Sequence, residues 1–189
     1  VFEADKVAVR ADRSLNEIPG AIAEQVVSFR NASGERPWQL GYAMARALRG
    51  ELGLADTDDF DIAPWVGTAD MQAPTRGFDG LAAVNGERCG VVLGTGNRRP
   101  ETRRFGQARA LGRILARPGQ RQFILSAARS HDDRVARAFA AELLAPAQGI
   151  RHMLETLGEA DDGALEAIAE LYNVSPLLVR HQYENQIAA

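Results

Sequence analysis

Arg104-Phe105-Gly106-Gln107-Ala108-Arg109-Ala110-Leu111-Gly112-Arg113-Ile114-Leu115 is the run from which the rest of the chain is laid out. Phe105, Ala108, Leu111, Ile114 and Leu115 recur at helical spacing, which makes one side of the run apolar. Arg109 and Arg113 stand one turn apart on another side. Pro118-Gly119 ends the helix.

Upstream of this helix lies the clearest hairpin. Leu81 to Val84 and Glu87 to Leu93 read as strands, with Asn85-Gly86 as a two-residue loop that tolerates positive φ at both positions. Cys89 sits mid-strand with no His near it in sequence, so it reads as a core residue and not a nucleophile. Gly94-Thr95-Gly96-Asn97 lacks both the Gly-Lys-Ser/Thr ending of a P-loop and the dinucleotide spacing, so it reads as a plain loop. Downstream, Arg121 to Ser126 is a strand or an extended link. His131-Asp132-Asp133 precedes a second helix striped by Val135, Phe139, Ala140, Leu143 and Leu144, with Asp132 or Asp133 as its cap or dipole partner. One His beside two adjacent carboxylates does not close a tetrahedral metal site. His152 and His181 stand alone and read as surface or packing residues.

Farther out, Leu40, Met44, Ala47, Leu48 and Leu52 mark a helix stopped by Gly53. Asp56 to Asp61 is acidic but lacks the glycine and glutamate of a calcium loop, so it reads as a solvated turn. Gly163 to Ile187 reads as two helices around Asn173-Val174-Ser175-Pro176, with Ser175 as N-cap and Pro176 at the first helical position. Their rhythm imitates a helix-turn-helix, but the second helix offers few basic or amide side chains to a DNA groove. Near the start, Val7 and Val9 alternate as in a short strand over Lys6 to Arg10, and Ala21 to Phe29 reads as a helix. Asn31 to Pro37 is a loop by composition. The expected organisation is an N-terminal arm or linker, residues 1–37, and a main domain, residues 38–189.

Several blocks, in order, resemble the ImmA/IrrE-like metallopeptidases. Phe78-Asp79-Gly80-Leu81-Ala82-Ala83 resembles the strand entering the family's site, and Arg103-Arg104-Phe105 leads into the motif helix. Ala136-Arg137-Ala138-Phe139-Ala140-Ala141-Glu142-Leu143-Leu144-Ala145-Pro146 is similar to the family's second signature, usually Ala-Asn-x-Phe-Ala-x-x-Leu-Leu-x-Pro. Ile168 to Pro176 looks like the closing helical segment, so the resemblance runs from about Trp38 to Gln186. It implies an α+β, zincin-like fold: helices packed on a small twisted sheet, with a helical C-terminal portion.

In that family two imidazoles one turn apart hold zinc, and the Glu between them is the general base. The resemblance places the first His on Arg109, the Glu on Ala110, the second His on Arg113 and a third, carboxylate ligand on Val135. Arginine is cationic at neutral pH and has no lone pair to give a metal, and Ala110 cannot take a proton. The expected chemistry is therefore absent: no metal, no cofactor and no catalytic residue.

Charge is segregated along the chain. Residues 98–151 hold 12 Arg and 4 acids, while residues 1–97 carry a net charge of about −5 and residues 152–189 about −6. Such a middle segment steers anionic partners, or it is a set of solvated helix faces. One cysteine excludes an internal disulfide and fits a cytoplasmic location, and no apolar run has the length of a membrane span. The opening Val1-Phe2-Glu3-Ala4-Asp5 is unlike a signal peptide. It lacks an initiator Met, so the natural chain is expected to begin earlier or to have lost a tag; relatives often carry a helix-turn-helix module upstream.

Three functions fit these observations. The first is a catalytically inactive ImmA/IrrE-like domain that recognises or regulates, in bacterial transcription, stress responses or mobile elements. Its partner would be a repressor-like protein, a toxin or defence component, or a second copy. Arg104, Arg109 and Arg113 would then offer contacts to a carboxylate, phosphate or peptide. The second is a DNA-binding regulator that uses residues 98–151, although Phe105, Phe123 and Phe139 read as buried and leave little for base stacking. The third is a hydrolase with new chemistry, for which Ser126, Ser130, His131 and Asp132 are at least close in the chain.

Overall fold

The computed structural model describes residues 3–8, 10–18, 22, 36–71, 77–94, 99–158 and 160–188. Helices dominate. They are α1 (Glu3–Ala8), α2 (Pro37–Glu51), α3 (Pro100–Ala116), α4 (His131–Leu144), α5 (Ala147–Leu157), α6 (Asp162–Leu171) and α7 (Pro176–Gln186). Four strands, β1 (Val66–Met71), β2 (Phe78–Asn85), β3 (Arg88–Gly94) and β4 (Gln122–Ser126), form one mixed sheet in the order β1-β3-β2-β4. β1 runs parallel to β3, and the other two pairings are antiparallel. The α+β class is as expected, with Arg121 to Ser126 resolved in favour of a strand.

The sheet is the middle layer. One face receives α3, whose Ala108, Ala110 and Leu111 are fully buried. α2 and α4 pack against each other behind it. The stripe expected on α4, from Val135 to Leu144, is buried as predicted. α5, α6 and α7 close the far side; Ser175 accepts from the Leu178 N–H and Pro176 opens α7, as the sequence implied.

The other face is covered by α1, which corrects the strand expected at Lys6–Arg10. Residues 3–8 are helical; Val9 lies outside the described residues. Val7, Ala8 and Ala11 are buried, a helical spacing that the Val7/Val9 alternation concealed. Val7 joins Ala83 and Val92 in a small separate cluster on this face. Gly90 makes the close approach possible, because a β-carbon there would run into the Ala8 backbone. Beyond α1, Leu15 N–H donates to the Glu87 carbonyl at 2.6 Å, and Asp12 and Arg13 N–H both donate to the Pro64 carbonyl at 2.9 Å. Residues 3–8 and 10–18 thus pack against the sheet and the turns beside it. The helix expected over Ala21–Phe29 lies outside the described residues except for Ile22, which is buried. The loop expected from Asn31 is described only at Arg36 and Pro37, and Pro37 already belongs to α2. Thr95 to Asn97, in the glycine-rich exit, also lie outside.

The hairpin is present, but its loop sits one residue later than expected, so Val84 pairs with Cys89 and not with Glu87. Asn85 pairs with Arg88, so the loop is Gly86-Glu87. Gly86 has φ 61° and Asn85 does not enter the positive region. Positive φ at the first loop position alone is what a II′ turn requires, and glycine meets it without strain. The acidic turn after α2 is tied down from below. Arg49, almost wholly buried, donates to the carbonyls of Leu143 and Asp58 at 2.8 Å and to that of Ala55. Burial lowers its pKa, and only carbonyl oxygens receive its hydrogen bonds.

Candidate functional site

α3 lies between the sheet and α4. Pro100 starts it, Ala116 ends it, and Arg117 and Pro118 follow. Contrary to the single apolar side in the sequence, its arginine side is also covered, because α4 lies across it. Gly112 permits this: a β-carbon there would sit 2.6 Å from Phe139 Cδ1 of α4. Arg109 is consequently pressed between the sheet and α4, with its side chain only 7% exposed.

A cation placed there needs partners within reach, since burying one unpaired costs several kcal/mol. Arg109 Nη1 donates to Asp79 Oδ2 on β2 at 2.8 Å. Its Nη2 donates to the Ser126 carbonyl at the end of β4, also at 2.8 Å, and lies 3.9 Å from Asp133 Oδ1 on α4. Arg137, one turn after Asp133, donates to the same Ser126 carbonyl at 2.8 Å. Burial lowers the Arg137 pKa and the neighbouring Arg109 charge adds to this, while Asp133 and Asp79 pull it up. Two arginines and two aspartates from β2, α3 and α4 therefore form one charge-balanced cluster. Asp79 was quoted in the sequence as part of a strand, not as a partner for Arg109. The signal that could have found it is a lone carboxylate at the start of an otherwise apolar strand.

Arg113 faces Asp132 in a neighbouring group. Its Nη1 lies 3.2 Å from Asp132 Oδ2, close enough for charge pairing but not aligned as a hydrogen bond. The guanidinium also rests 5.6 Å from the Phe123 ring centroid. Arg117 grips the same carboxylate with Nε and Nη2 at 3.0 and 3.1 Å. Burial alone would raise the Asp132 pKa, but the hydrogen bonds and charges of Arg117, with help from Arg113 and His131, hold it below the usual value.

The remaining expected positions are placed as follows. Ala110 is fully buried beneath the sheet. Val135 is in the core, and the α4 residue turned toward Arg109 is Asp133, two positions earlier. Arg104 is occupied within the fold. Its Nη1 bonds the carbonyls of Tyr172 and Asn173, and its Nη2 bonds Asp59 and the Phe60 carbonyl at 2.7 Å. His131, Asp132 and Asp133 open α4 and do not precede it; the cap is Ser130, whose hydroxyl accepts from Asp133 N–H at 3.2 Å and donates to the Asp133 carboxylate. Ser126 Oγ accepts from Ala128 N–H at 3.2 Å. Neither hydroxyl is aligned on the His131 ring, which lies 3.4 Å from Asp132 Oδ1. Cys89 is fully buried, and desolvation pushes its thiol pKa far up. Among the described residues no three His, Cys, Asp or Glu side chains converge to hold a metal ion.

A groove of about 510 Å³ adjoins the arginine cluster. Phe105, one turn before Arg109, and Arg137, itself a member of the cluster, are among its lining residues. Trp38 and Tyr42 of α2 and Leu177 and Leu178 of α7 supply apolar walls. Its floor includes Gln182, which donates to the buried Glu142 carboxylate at 2.9 Å. Glu142 is further held by Arg46 at 2.7 Å and Gln186 at 2.8 Å. None of Arg104, Arg109 and Arg113, the contacts expected from the sequence, lines this groove, and Trp38, Tyr42 and Leu177 are not among the residues the sequence singles out as a site.

Neither a protein-family model nor a curated protein matches the chain. No helix among the described residues is long and apolar enough to cross a membrane.

Proposed function

We propose that this chain is a metal-free relative of the ImmA/IrrE-like peptidases, working as a recognition or regulatory domain in place of an enzyme. The supporting observation is the Arg109 guanidinium, 2.8 Å from both Asp79 Oδ2 and the Ser126 carbonyl. On this reading a buried cation hydrogen-bonded to β2 and β4 and ion-paired with α4 does the organising work of a metal ion. It supplies no activated water, because guanidinium neither coordinates water as a Lewis acid nor accepts a proton. Ala110 removes the base as well. The commitment of both Ser126 and Ser130 hydroxyls to local helix and turn bonds argues against a serine nucleophile at His131. The DNA-binding alternative is weakened by the same geometry. Arg103, Arg104, Arg109, Arg113, Arg117 and Arg137, half of the basic middle segment, have partners inside the molecule.

Metal analysis tests the proposal. The protein is purified from zinc-supplemented medium, dialysed and assayed for bound metal, then challenged with folded and unfolded protein substrates with and without chelator. Substoichiometric zinc and no chelator-sensitive cleavage are expected. One equivalent of tightly held zinc, or cleavage that stops on chelation, would falsify it.

A further inference from the structure

The groove beside the arginine cluster is walled by apolar side chains from four helices and rimmed by arginines. We infer that it receives an amphipathic helix from a protein partner, a helix with an apolar stripe and at least one carboxylate beside it. This names the kind of partner for the recognition reading above and rests on that reading.

The walls argue for a helix. They are the sides of α2, α3, α4 and α7, where beyond the first turns the backbone N–H and C=O groups are already paired within each helix. An extended peptide would find no row of backbone partners in such a groove and would lose its own hydrogen bonds to water. A helical occupant brings its backbone bonds with it and offers only side chains, as in helix-in-groove recognition. The apolar surface is already displayed: Trp38 is 37% exposed and Leu177 60% exposed. Leu177, His181 and Asn185 recur every four residues and line the α7 rim as one stripe.

The charges argue for an acidic occupant. Arg134 and Arg137 stand three residues apart on the α4 rim, and among the described residues of the lining Glu101 is the only carboxylate. Arg134 is exposed, and its guanidinium makes no hydrogen bond or ion pair with any described residue. Arg137 spends one amino group on Ser126 and keeps others for a ligand. A carboxylate one turn from the apolar stripe would meet this rim, whereas a basic helix would be repelled by it.

The test is selection from a phage-displayed library of helix-forming peptides with eight randomised surface positions, run on the whole protein. Enriched sequences are expected to carry apolar residues at i, i+3 or i+4, and i+7, with Asp or Glu flanking them. Synthetic copies should bind about tenfold or more weakly to Leu177→Glu, which loses apolar contact. Arg134→Glu should weaken them about three- to tenfold, with a smaller salt dependence. Both side chains are exposed, and unchanged circular dichroism and melting temperature will show that the variants are folded. Failure to enrich any common pattern, enrichment of basic helices, or binding indifferent to both substitutions would overturn the inference. A metal-free protein that enriches no such helix refutes the inference alone. Stoichiometric zinc together with helix enrichment refutes the pseudopeptidase reading alone.

Discussion

Replacing Arg109 with methionine removes the buried charge while keeping most of the side chain's length. Two contacts at 2.8 Å and one ion-pair approach at 3.9 Å go with it. What remains is worse than the loss itself: Asp133, with a side chain 7% exposed, keeps a carboxylate oxygen with no hydrogen-bond partner. Breaking one side of a buried pair costs about 3–5 kcal/mol. Asp79 is one-third exposed, and water will replace part of what it loses, so the lower end, about 3 kcal/mol, is expected. For a chain of 189 residues that is a fall in melting temperature of roughly 6–12 °C. Differential scanning calorimetry at neutral pH reads it directly. The paired variant Arg109→Met with Asp133→Asn should recover a part of the loss, because the orphaned charge is gone. A single variant that melts within about 2 °C of the wild type would refute the picture of a cation that clamps sheet to helix.

Four other outcomes follow from the same geometry. Arg109→His with Arg113→His places one imidazole beside Asp79 and Asp133 and a second one turn away beside Asp132, and calorimetric titration should show about one zinc taken up where the parent takes none; no uptake would mean that the two positions do not stand where ligands stood. Asp132 has a folded pKa below its unfolded value, so its stabilisation is complete above about pH 4–5 and is lost as pH falls through the folded value. The melting difference between wild type and Asp132→Asn, roughly 2–4 °C at neutral pH, should therefore close in acid, and a gap that widens there would be inconsistent with the Arg117 clasp. Cys89, buried with its thiol pKa pushed up, should react with a disulfide reagent only at the rate of unfolding; prompt labelling of the native protein would contradict its burial. Gly112→Ala should cost about 1–2 kcal/mol net despite alanine's better helix propensity, since the added methyl meets the Phe139 ring, and a more stable variant would show that α3 and α4 can part.

Local patterns carried α2, α3, α4, α6, α7 and the β2–β3 hairpin, whereas β1 and α5 have no clear signal in the sequence. α3, α4 and α7 follow from apolar spacing and from Ser175-Pro176, which act through neighbours in the chain. The hairpin was visible, but Asn85-Gly86 is equally compatible with two registers, and pairing of Asn85 with Arg88 chose between them. α1 was misread because Val7 and Val9 sample only one alternation, while its burial depends on β3, formed some eighty residues later. The arginine cluster was half legible. The loss of metal-ligand chemistry was plain from Arg109, Ala110 and Arg113, but the destination of each guanidinium was not. Asp79 lies thirty residues from Arg109 in the chain, and only the folded sheet brings them together. The groove has the same character: four helices contribute to it, and no single segment announces it.

The position of α1 has a practical use. Lys6 is the only lysine in the sequence and lies on this helix, exposed on the side of the sheet opposite α3. An amine-reactive dye will attach its side-chain label there, across the thickness of the sheet from the groove. The protein thus comes with a single addressable ε-amine, suited to tethering or fluorescence work in which the helix-lined surface must stay untouched.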